Sequence, residues 1–396
     1  MKQTLLDSIL KSHMDNQPFA LLYRPHITGT NHVEVILGEI NYYNTIGSVQ
    51  LPKDLPSSYK STLIVIPYRQ LNERGFEYVE DNERLINIMV SEHDVIPKNQ
   101  VLMSIPSIPI ELFNGRFDIE DKEYIEIVRK IISAEIGTGE GSNFVIKRDL
   151  MIDIKNYSPQ SALRIFRNLI ENEKGAHWVF LINTCDRIFV GASPELHIAL
   201  NSGIVMMNPI SGTYRYPQSG PTIEGLIEFL SSLKETDELY MVLEEELKML
   251  SEISSLGGKI HGPFLREMSK VAHTEFYIKG KTQYDPKVIL LKTLFSPAVT
   301  GSPIENACRV IKRYEQRGRG YYAGVVALLS KDASGENSMD STILIRTADI
   351  NTAGCTRIGV GATIVRHSDP IAEAAETRTK ATALLQAMGY KGKYYV

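Results

Sequence analysis

Alternating apolar and polar positions predict a chain rich in short β-strands, because side chains on a half-buried strand point alternately inward and outward. In the first part of the chain this pattern predicts strands at Phe19–Tyr23, His32–Leu37 and Ser61–Val65. A second series lies near the middle of the chain, with predicted strands at His177–Asn183, Ile188–Gly191, Glu195–Ala199 and Ile204–Asn208.

Helices are predicted where apolar residues recur every three or four positions. The predicted helices are Lys122–Ile136, Ser158–Asn172, Asn306–Tyr314 and a long acidic stretch, Ile223–Leu256, interrupted near Ser231–Ser232. The turn-rich segment before Asn306 would place Gly301 and Ser302 at the electropositive start of that helix. Such a segment either binds a small anion or is an ordinary turn.

The last quarter of the chain predicts a β-meander followed by a helix. Turn-forming residues separate three segments of strand length, Tyr322–Ser330, Ser341–Ile350 and Thr356–Val365. Asp369 is a suitable N-cap for the final helix, and Pro370 suits its first position. Strands and helices mixed in this way predict an α+β protein, with large, mostly antiparallel β-sheets flanked by helices.

The composition narrows the class of protein. Among 396 residues, 43 Lys and Arg nearly balance 47 Asp and Glu, so no strong field recruits nucleic acid or an acidic membrane surface. Three widely separated cysteines predict neither a disulfide framework nor a metal site. The N-terminus lacks a signal-peptide pattern, and no apolar run approaches the roughly 20 residues of a membrane span. We therefore expect a soluble, cytoplasmic protein.

Two pairs of glutamates are candidate metal ligands. Glu235 and Glu238 share one face of the long acidic helix, and Glu373 and Glu376 repeat this spacing on the final helix, one turn before Lys380. These residues are either solvated helix charges or carboxylates that converge on a divalent cation. Carboxylates without His or Cys neighbours suit Mg²⁺, which prefers one or two protein carboxylates, waters and ligand oxygens.

Three further features are candidate ligand contacts. Arg346 falls inside the apolar segment Ser341–Ile350 and needs either an internal carboxylate or a bound anion as its partner. The glycine-rich run Gly359–Thr363 opens a strand, so it favours close backbone approach to a small ligand over dinucleotide binding. His273 is either a core histidine or a functional one.

Ordered motifs between residues 115 and 388 resemble the family of chorismate-utilising enzymes that includes anthranilate, aminodeoxychorismate and isochorismate synthases. The motifs are Gly191-Ala-Ser-Pro-Glu195, Pro209-Ile-Ser-Gly-Thr213, Lys234-Glu-Thr-Asp-Glu238, Val299-Thr-Gly-Ser-Pro303, Tyr322-Ala-Gly324, Ile345-Arg346 and Glu376-Thr-Arg-Thr-Lys380. The resemblance implies a single domain over residues 1–396, with an N-terminal subdomain (1–115) and a chorismate-binding region (116–390). It also implies that the sheets pack as a sandwich and that the protein is a homodimer.

The resemblance implies a role for each matching residue. Glu238 and Glu376 match Mg²⁺ ligands, Glu235 matches the general acid for the 4-hydroxyl of chorismate, and His273 matches an active-site histidine. The positions implied to contact chorismate or its pyruvyl group are Asn143, Ser211, Gly212, Thr213, Thr300, Gly301, Tyr322, Arg346, Gly361, Ala362 and Lys380.

Several segments resemble the synthase part of the phenazine-pathway enzyme that makes 2-amino-2-deoxyisochorismate; one is Asn208-Pro-Ile-Ser-Gly-Thr-Tyr-Arg-Tyr-Pro217. This resemblance implies Mg²⁺-dependent amination of chorismate at C2 by ammonia, with loss of the C4 hydroxyl. In those enzymes a glutamine amidotransferase domain follows in the same chain, whereas this sequence stops at Val396. A separate amidotransferase partner, free ammonia and a truncated chain are all open as explanations.

One departure from the family pattern bears on the nucleophile. Isochorismate and salicylate synthases use a lysine to deprotonate the attacking water, and Asn143 stands at the matching position. Asparagine cannot act as a general base, whereas ammonia attacks with its own lone pair. Lys147 would share a strand face with Asn143, but about 13 Å further along at about 3.3 Å per residue.

Amination without elimination is therefore the expected activity. The first alternative is an anthranilate synthase large subunit, which also eliminates pyruvate. Further alternatives are an isochorismate synthase and an inactive chorismate-binding regulatory subunit.

Overall fold

In the computed structural model, which describes residues 4–11, 17–54, 58–217, 219–255, 257–268 and 271–390, helices and strands alternate irregularly along the chain. The helices are α1 (Leu5–Lys11), α2 (Pro25–Thr28), α3 (Lys98–Ser104), α4 (Asp121–Lys130, continued by a π-helical turn, Ile131–Ile136), α5 (Pro159–Asn172), α6 (Ile223–Ser231), α7 (Leu233–Ile253), α8 (Pro286–Thr293), α9 (Ile304–Tyr314) and α10 (Pro370–Ala387).

The strands are β1 (Phe19–Tyr23), β2 (His32–Tyr43), β3 (Ser61–Ile66), β4 (Leu85–Pro97), β5 (Leu112–Phe117), β6 (Asn143–Ile154), β7 (Trp178–Asn183), β8 (Arg187–Ser193), β9 (Ala199–Asn201), β10 (Ile204–Met207), β11 (Ile210–Arg215), β12 (Gly258–Glu267), β13 (Val271–Lys281), β14 (Gly301–Ser302), β15 (Val325–Lys331), β16 (Asn337–Ile343), β17 (Thr347–Asn351) and β18 (Cys355–Val365).

Antiparallel pairing joins the described strands into one continuous network. Its main order is β5-β6-β18-β17-β8-β7-β1-β2-β4-β3-β15-β16-β9-β10-β13. β14 also pairs with β6, and both β11 and β12 pair with β13. Strands from the first 100 residues are thus neighbours of strands from the middle and the end of the chain.

The network folds back so that two of its regions pack face to face, as the predicted sandwich requires. Side chains of β1, β7 and β8 share one apolar cluster with side chains of β3, β4 and β15. Trp178 of β7, the single tryptophan of the sequence, is fully buried there and donates its indole N–H to Asp340 of β16 at 2.9 Å.

Helices cover both outer faces of the sandwich. α1, α3, α5 and α10 pack on the sheet that contains β1, β7 and β8, and α4, α7, α8 and α9 pack on the sheet that contains β3 and β15. Leu63 and Val65 accordingly face the inner cluster, whereas Ile64 and Ile66 face the helices. Burial on both faces explains why β3 is an uninterrupted apolar run. None of the described helices is both long and apolar enough to cross a membrane.

Most of the predicted elements are confirmed, including the break in the long acidic helix. α6 and α7 are separated by Ser232, whose hydroxyl accepts a hydrogen bond from the Glu235 N–H and caps α7. α7 ends at Ile253, and Leu256, the predicted end, lies outside the described residues.

Two strand predictions are wrong. The segment Ser341–Ile350 is interrupted between β16 and β17, and Arg346 lies in this gap in a left-handed conformation with φ 53°. Arg346 is therefore not in mid-strand. The segment Glu195–Ala199 is also not a strand, because only Leu196 forms an isolated bridge, to Thr342, before β9 begins.

The predicted position of Gly301 and Ser302 also needs correction. They form β14 beside β6, and α9 begins only after Pro303. Their backbone groups therefore belong to the sheet rather than to the helix start.

Candidate active site

Ten of the predicted site residues converge on one cavity between the outer helices and the sheets. They come from β11, α7, β13, the turn before β15, the gap after β16, β18 and α10. The ten are Ser211, Gly212, Thr213, Glu238, His273, Tyr322, Arg346, Gly361, Glu376 and Lys380. Elements distant in the sequence thus contribute to one small concave site.

The predicted general acid, Glu235, borders this cavity without lining it. Its carboxylate accepts a hydrogen bond from the Thr213 N–H at 2.9 Å and lies 3.7 Å from Lys234 Nζ. A side chain at Gly212 would collide with it, since a Cβ there would lie 2.8 Å from Glu235 Oε2. Glu235 is thus held by a backbone hydrogen bond beside the cavity rather than directed into it.

Three predicted substrate contacts lie behind the cavity wall. The Thr300 hydroxyl donates to the Ser296 carbonyl at 2.8 Å, and Gly301 pairs with Phe144 of β6. Ala362 lies between Gly361 and Thr363, which both line the cavity, so its side chain points to the opposite face of β18. Thr300, Gly301 and Ala362 shape the cavity without lining it.

Asn143, at the start of β6, is buried at the edge of the site. It shares a strand face with Val145, which lines the cavity, and its Nδ2 has no hydrogen-bond partner. Lys147, on the same face, lies elsewhere: its Nζ donates to Asp149 at 2.6 Å, and it does not line this cavity. Lys147 is therefore not positioned as a base beside Asn143.

Glu195 is the residue that the sequence reasoning missed. It follows Pro194 in the motif Gly191-Ala-Ser-Pro-Glu195, lines the cavity, and is only 4% exposed. Burial raises the pKa of Glu195 to about 8, although Arg266 and Lys380 act in the opposite direction. Its Oε1 has no hydrogen-bond partner. Glu195 is thus a neutral carboxylic acid inside the site at neutral pH.

His273 of β13 presents a neutral imidazole to the cavity. Its Nδ1 lies 2.6 Å from the Gly212 carbonyl oxygen, and this contact requires the proton on Nδ1. Burial lowers the pKa of His273 to about 4. Nε2 has no partner and is therefore available as a hydrogen-bond acceptor or base.

Arg346 and Lys380 give one side of the cavity a positive charge. The Arg346 guanidinium donates to the Lys380 carbonyl at 3.2 Å, and its burial lowers its pKa. Lys380 Nζ donates to the Gly361 carbonyl at 2.8 Å and lies 2.9 Å from Glu376 Oε1. Because a backbone carbonyl is a weak partner for a buried guanidinium, an anionic ligand suits Arg346.

Tyr322 packs closely on the glycines of β18. A Cβ at Gly361 would lie 2.6 Å from the Tyr322 hydroxyl oxygen, and a Cβ at Gly359 would lie 2.5 Å from its ring. The glycines therefore allow the phenol to reach the cavity, which explains the glycine-rich pattern of this strand.

Carboxylates from α7 and α10 form an acidic cluster at the cavity. Glu238 and Glu376 line it, and Glu373 is buried beside them. Burial raises the pKa of Glu238 to about 8, whereas the nearby Lys380 outweighs burial and lowers the pKa of Glu376 to about 2. Glu238 Oε1 and Glu373 Oε1 each lie 3.2 Å from Lys234 Nζ, and among the described residues they accept no other hydrogen bond.

This donor set fits a hard divalent cation. In the part of the chain that the structure describes, no three His, Cys, Asp or Glu side chains are arranged around a common metal position. Mg²⁺ needs only one or two protein carboxylates, because waters and ligand oxygens complete its coordination. Glu238 and Glu376, which both line the cavity, meet that requirement.

Comparison with known proteins bears out the family predicted from the motifs. The profile of the chorismate binding enzyme family matches residues 77–386. Phenazine-specific anthranilate synthases from Pseudomonas chlororaphis and Pseudomonas fluorescens are 52% and 51% identical over 373 residues. These matches cover 94% of this chain but 59% of each relative, so the chain spans less than two thirds of their length.

Solved structures share the fold at low sequence identity. The menaquinone-specific isochorismate synthase of Escherichia coli has a TM-score of 0.76 at 18% identity, covering 95% of this chain and 90% of that one. Anthranilate synthase component I of Streptococcus pneumoniae has a TM-score of 0.69 at 20% identity, covering 93% and 90%. Profile, relatives and fold agree: this chain belongs to the family of chorismate binding enzymes.

Proposed function

We propose that the protein aminates chorismate at C2 with ammonia and releases the C4 hydroxyl as water, giving 2-amino-2-deoxyisochorismate for a phenazine-type pathway. The observation that carries the proposal is the nucleophile side of the cavity. Asn143 is buried on that side and cannot deprotonate water, and Lys147 is paired with Asp149. The similarity to relatives named phenazine-specific anthranilate synthases supports the coarser part of the proposal, an aminating chorismate enzyme of a phenazine pathway.

The positive side of the cavity would bind the carboxylates of chorismate. Arg346 would pair with the pyruvyl carboxylate, since a guanidinium forms two parallel hydrogen bonds with such a group. The Tyr322 hydroxyl and the backbone of Gly361 would define the adjacent wall. Glu238 and Glu376 would hold Mg²⁺, which when bound neutralises the ring carboxylate and draws electron density toward it.

We assign the proton donor for the departing C4 hydroxyl to Glu195 in place of Glu235. A general acid must be protonated before the reaction, and burial keeps Glu195 neutral near pH 7. Glu235 instead accepts a backbone N–H bond beside Lys234. Ammonia forms the C2–N bond, and the C4–O bond breaks as Glu195 protonates the oxygen. The new ammonium group then loses a proton, which restores the acid.

The runner-up is an anthranilate synthase, in which the same intermediate loses pyruvate. The free Nε2 of His273 favours it, because a neutral imidazole can remove a ring proton. For either activity, we propose a glutamine amidotransferase as the source of ammonia, as the resemblance to anthranilate synthase component 1 implies.

Product analysis tests the proposal. The protein is incubated with chorismate, Mg²⁺ and an ammonium salt, and products are read by mass spectrometry, anthranilate fluorescence and pyruvate release. We expect the non-aromatic amino compound without equivalent pyruvate. Stoichiometric pyruvate with anthranilate would promote the runner-up. Isochorismate as the product would overturn the argument from Asn143, and binding without turnover would indicate a regulatory subunit.

A further inference from the structure

Lys234 occupies the centre of the acidic cluster. Its Nζ lies 3.2 Å from Glu238 Oε1, 3.2 Å from Glu373 Oε1 and 3.7 Å from Glu235 Oε1. The lysine is the second residue of α7, where the positive end of the helix dipole makes a cation unfavourable. Its position is therefore explained by the carboxylates and not by helix stability.

The glutamates of the acidic cluster differ in the number of lysine and arginine side chains that pair with them. Glu376 has two cationic partners, Lys380 at 2.9 Å and Arg215 at 3.4 Å. Within the described ranges, Lys234 is the only lysine or arginine at ion-pair distance from Glu238 and Glu373. Without Lys234, these two buried carboxylates would have no counter-ion, which is a costly arrangement.

A divalent cation held by Glu238 would compete directly with this ammonium group. Both positive charges would lie against the same carboxylate, and like charges at such distances repel strongly in a partly buried site. Lys234 must therefore move when the cation binds, or the cation binds weakly.

The surroundings of Lys234 give its side chain a second position. Lys234 lines a separate outer cavity, whose lining includes Asp237 and Glu244 of α7 as well as Arg366 and His367. Asp237 lies three residues further along the helix and thus on a neighbouring part of its surface. The flexible lysine side chain can turn to this cavity and keep an acidic partner.

We propose that Lys234 is an internal counter-ion that is exchanged for Mg²⁺, leaving the carboxylates for the outer cavity when Mg²⁺ binds together with chorismate. The inference rests on the proposed function, because it takes Glu238 and Glu376 as the Mg²⁺ ligands. Mg²⁺ must displace the Lys234 ammonium group whether or not chorismate is bound. Lys234 thus lowers the affinity of the site for Mg²⁺.

Calorimetric titration of Mg²⁺ tests this proposal without turnover. Wild type and Lys234→Met are titrated with and without chorismate, in the absence of ammonium salts. We expect the variant to bind Mg²⁺ at least tenfold more tightly than wild type without chorismate, and more tightly than wild type with chorismate as well. Without Mg²⁺, its melting temperature should be lower than that of wild type, and it should rise further on Mg²⁺ addition.

Lys248→Met is the matched control, because it removes one positive charge from the same helix at an exposed pair with Glu244 and Glu245. It should bind Mg²⁺ as wild type does. Lys234→Arg retains the positive charge, so it should bind free Mg²⁺ as weakly as wild type does. It also tests the proposal if Lys234→Met does not fold. Equal or weaker Mg²⁺ binding by Lys234→Met, or tight binding by Lys234→Arg, would overturn the counter-ion exchange. If wild type binds no Mg²⁺ even with chorismate, the metal site of the proposed function fails instead.

Discussion

Two glutamates at the cavity differ in the chemistry that their surroundings permit. Glu195 is enclosed by the protein and has one oxygen without a hydrogen-bond partner. Glu235 accepts a backbone hydrogen bond and has a lysine nearby. Burial favours the neutral form of a carboxyl group, whereas hydrogen-bond donors and cations favour its charged form. This contrast separates the two candidates for the general acid.

Replacing Glu195 with Gln should therefore remove turnover and leave chorismate binding largely intact. General acid assistance is worth on the order of 10²–10⁴-fold in rate, and the loss should appear in kcat because the proton acts on the leaving group. Steady-state kinetics with ammonium as co-substrate would measure it.

Glu235→Gln serves as the comparison variant. Its amide oxygen can still accept the Thr213 N–H bond, so we expect a smaller loss in kcat than for Glu195→Gln. The reverse order of the two losses would return the general acid to Glu235, as the motif match predicts.

Glu195 should also make the stability of the protein depend on pH. Its pKa is raised from 4.5 to about 8, so the folded state keeps a proton that the unfolded state has released. Stability therefore falls as pH rises from about 5 to 8. As pH rises through this range, the melting temperature of Glu195→Gln should increase relative to that of wild type. Parallel curves would mean that Glu195 is ionised in the fold.

Much of the site could be predicted at the level of single residues, because ten motif positions line one cavity. Glu195 was missed although its motif was identified. Its raised pKa depends on burial, which the local sequence does not reveal. The resemblance to the family assigned the general acid to Glu235, but a motif match carries no information about how deeply each carboxyl group is buried.

At the scale of elements, the glycines of β18 allow the Tyr322 side chain to lie close to the backbone of this strand. Gly361→Ala would place a methyl group 2.6 Å from the phenolic oxygen, which forces the ring away from its present position. We expect the KM for chorismate to rise about tenfold or more, because misplaced contacts in a site commonly reduce efficiency by that order.

Gly47→Ala is the control for this substitution, since nothing lies within 4 Å of a Cβ at Gly47 and its φ is not positive. Both variants add the same methyl group, so only Gly361→Ala should alter the kinetics. Unchanged kinetics in Gly361→Ala would show that Tyr322 has no part in binding.

Helices and long strands followed from periodicity, but the break within Ser341–Ile350 did not. An apolar segment with a single arginine has the pattern of a strand with one functional side chain. In the structure, the chain leaves the strand at Leu344 and returns at Thr347, with Arg346 in a left-handed conformation. Tertiary packing imposes this conformation, which is uncommon for non-glycine residues.

At the scale of the whole molecule, Arg24 links distant parts of the sandwich. Its guanidinium donates to both Glu34 oxygens of β2 at 2.6 Å and to Asp340 of β16 at 3.0 Å. It also lies over the Trp178 ring at 5.1 Å. The guanidinium is thus shared by two buried carboxylates that come from strands distant in the sequence.

Arg24→Met should lower the free energy of unfolding by about 3–5 kcal/mol, because it removes the guanidinium from two buried carboxylates. Urea denaturation would measure the change. Lys155→Met, which removes an exposed pair with Glu111, should change stability by only about 0–1 kcal/mol. If the two substitutions lower the free energy of unfolding equally, the buried contacts of Arg24 stabilise the fold no more than an exposed ion pair does.

The α+β class and the sandwich could be predicted, whereas the order of the strands could not. β1 pairs with β7, and β3 pairs with β15, so partners are separated by more than a hundred residues of sequence. Alternation within a strand specifies which side chains are buried but not which strand lies alongside. The long-range order is therefore seen only in the structure.

The position of Trp178 has an optical consequence. Because it is the single tryptophan and is fully buried between the facing sheets, the indole emission comes from one known place. A shift of that emission to longer wavelength would report water entering between the two layers. Trp178 does not line the cavity of the candidate active site, so the protein carries a built-in fluorophore for global opening that is independent of that site.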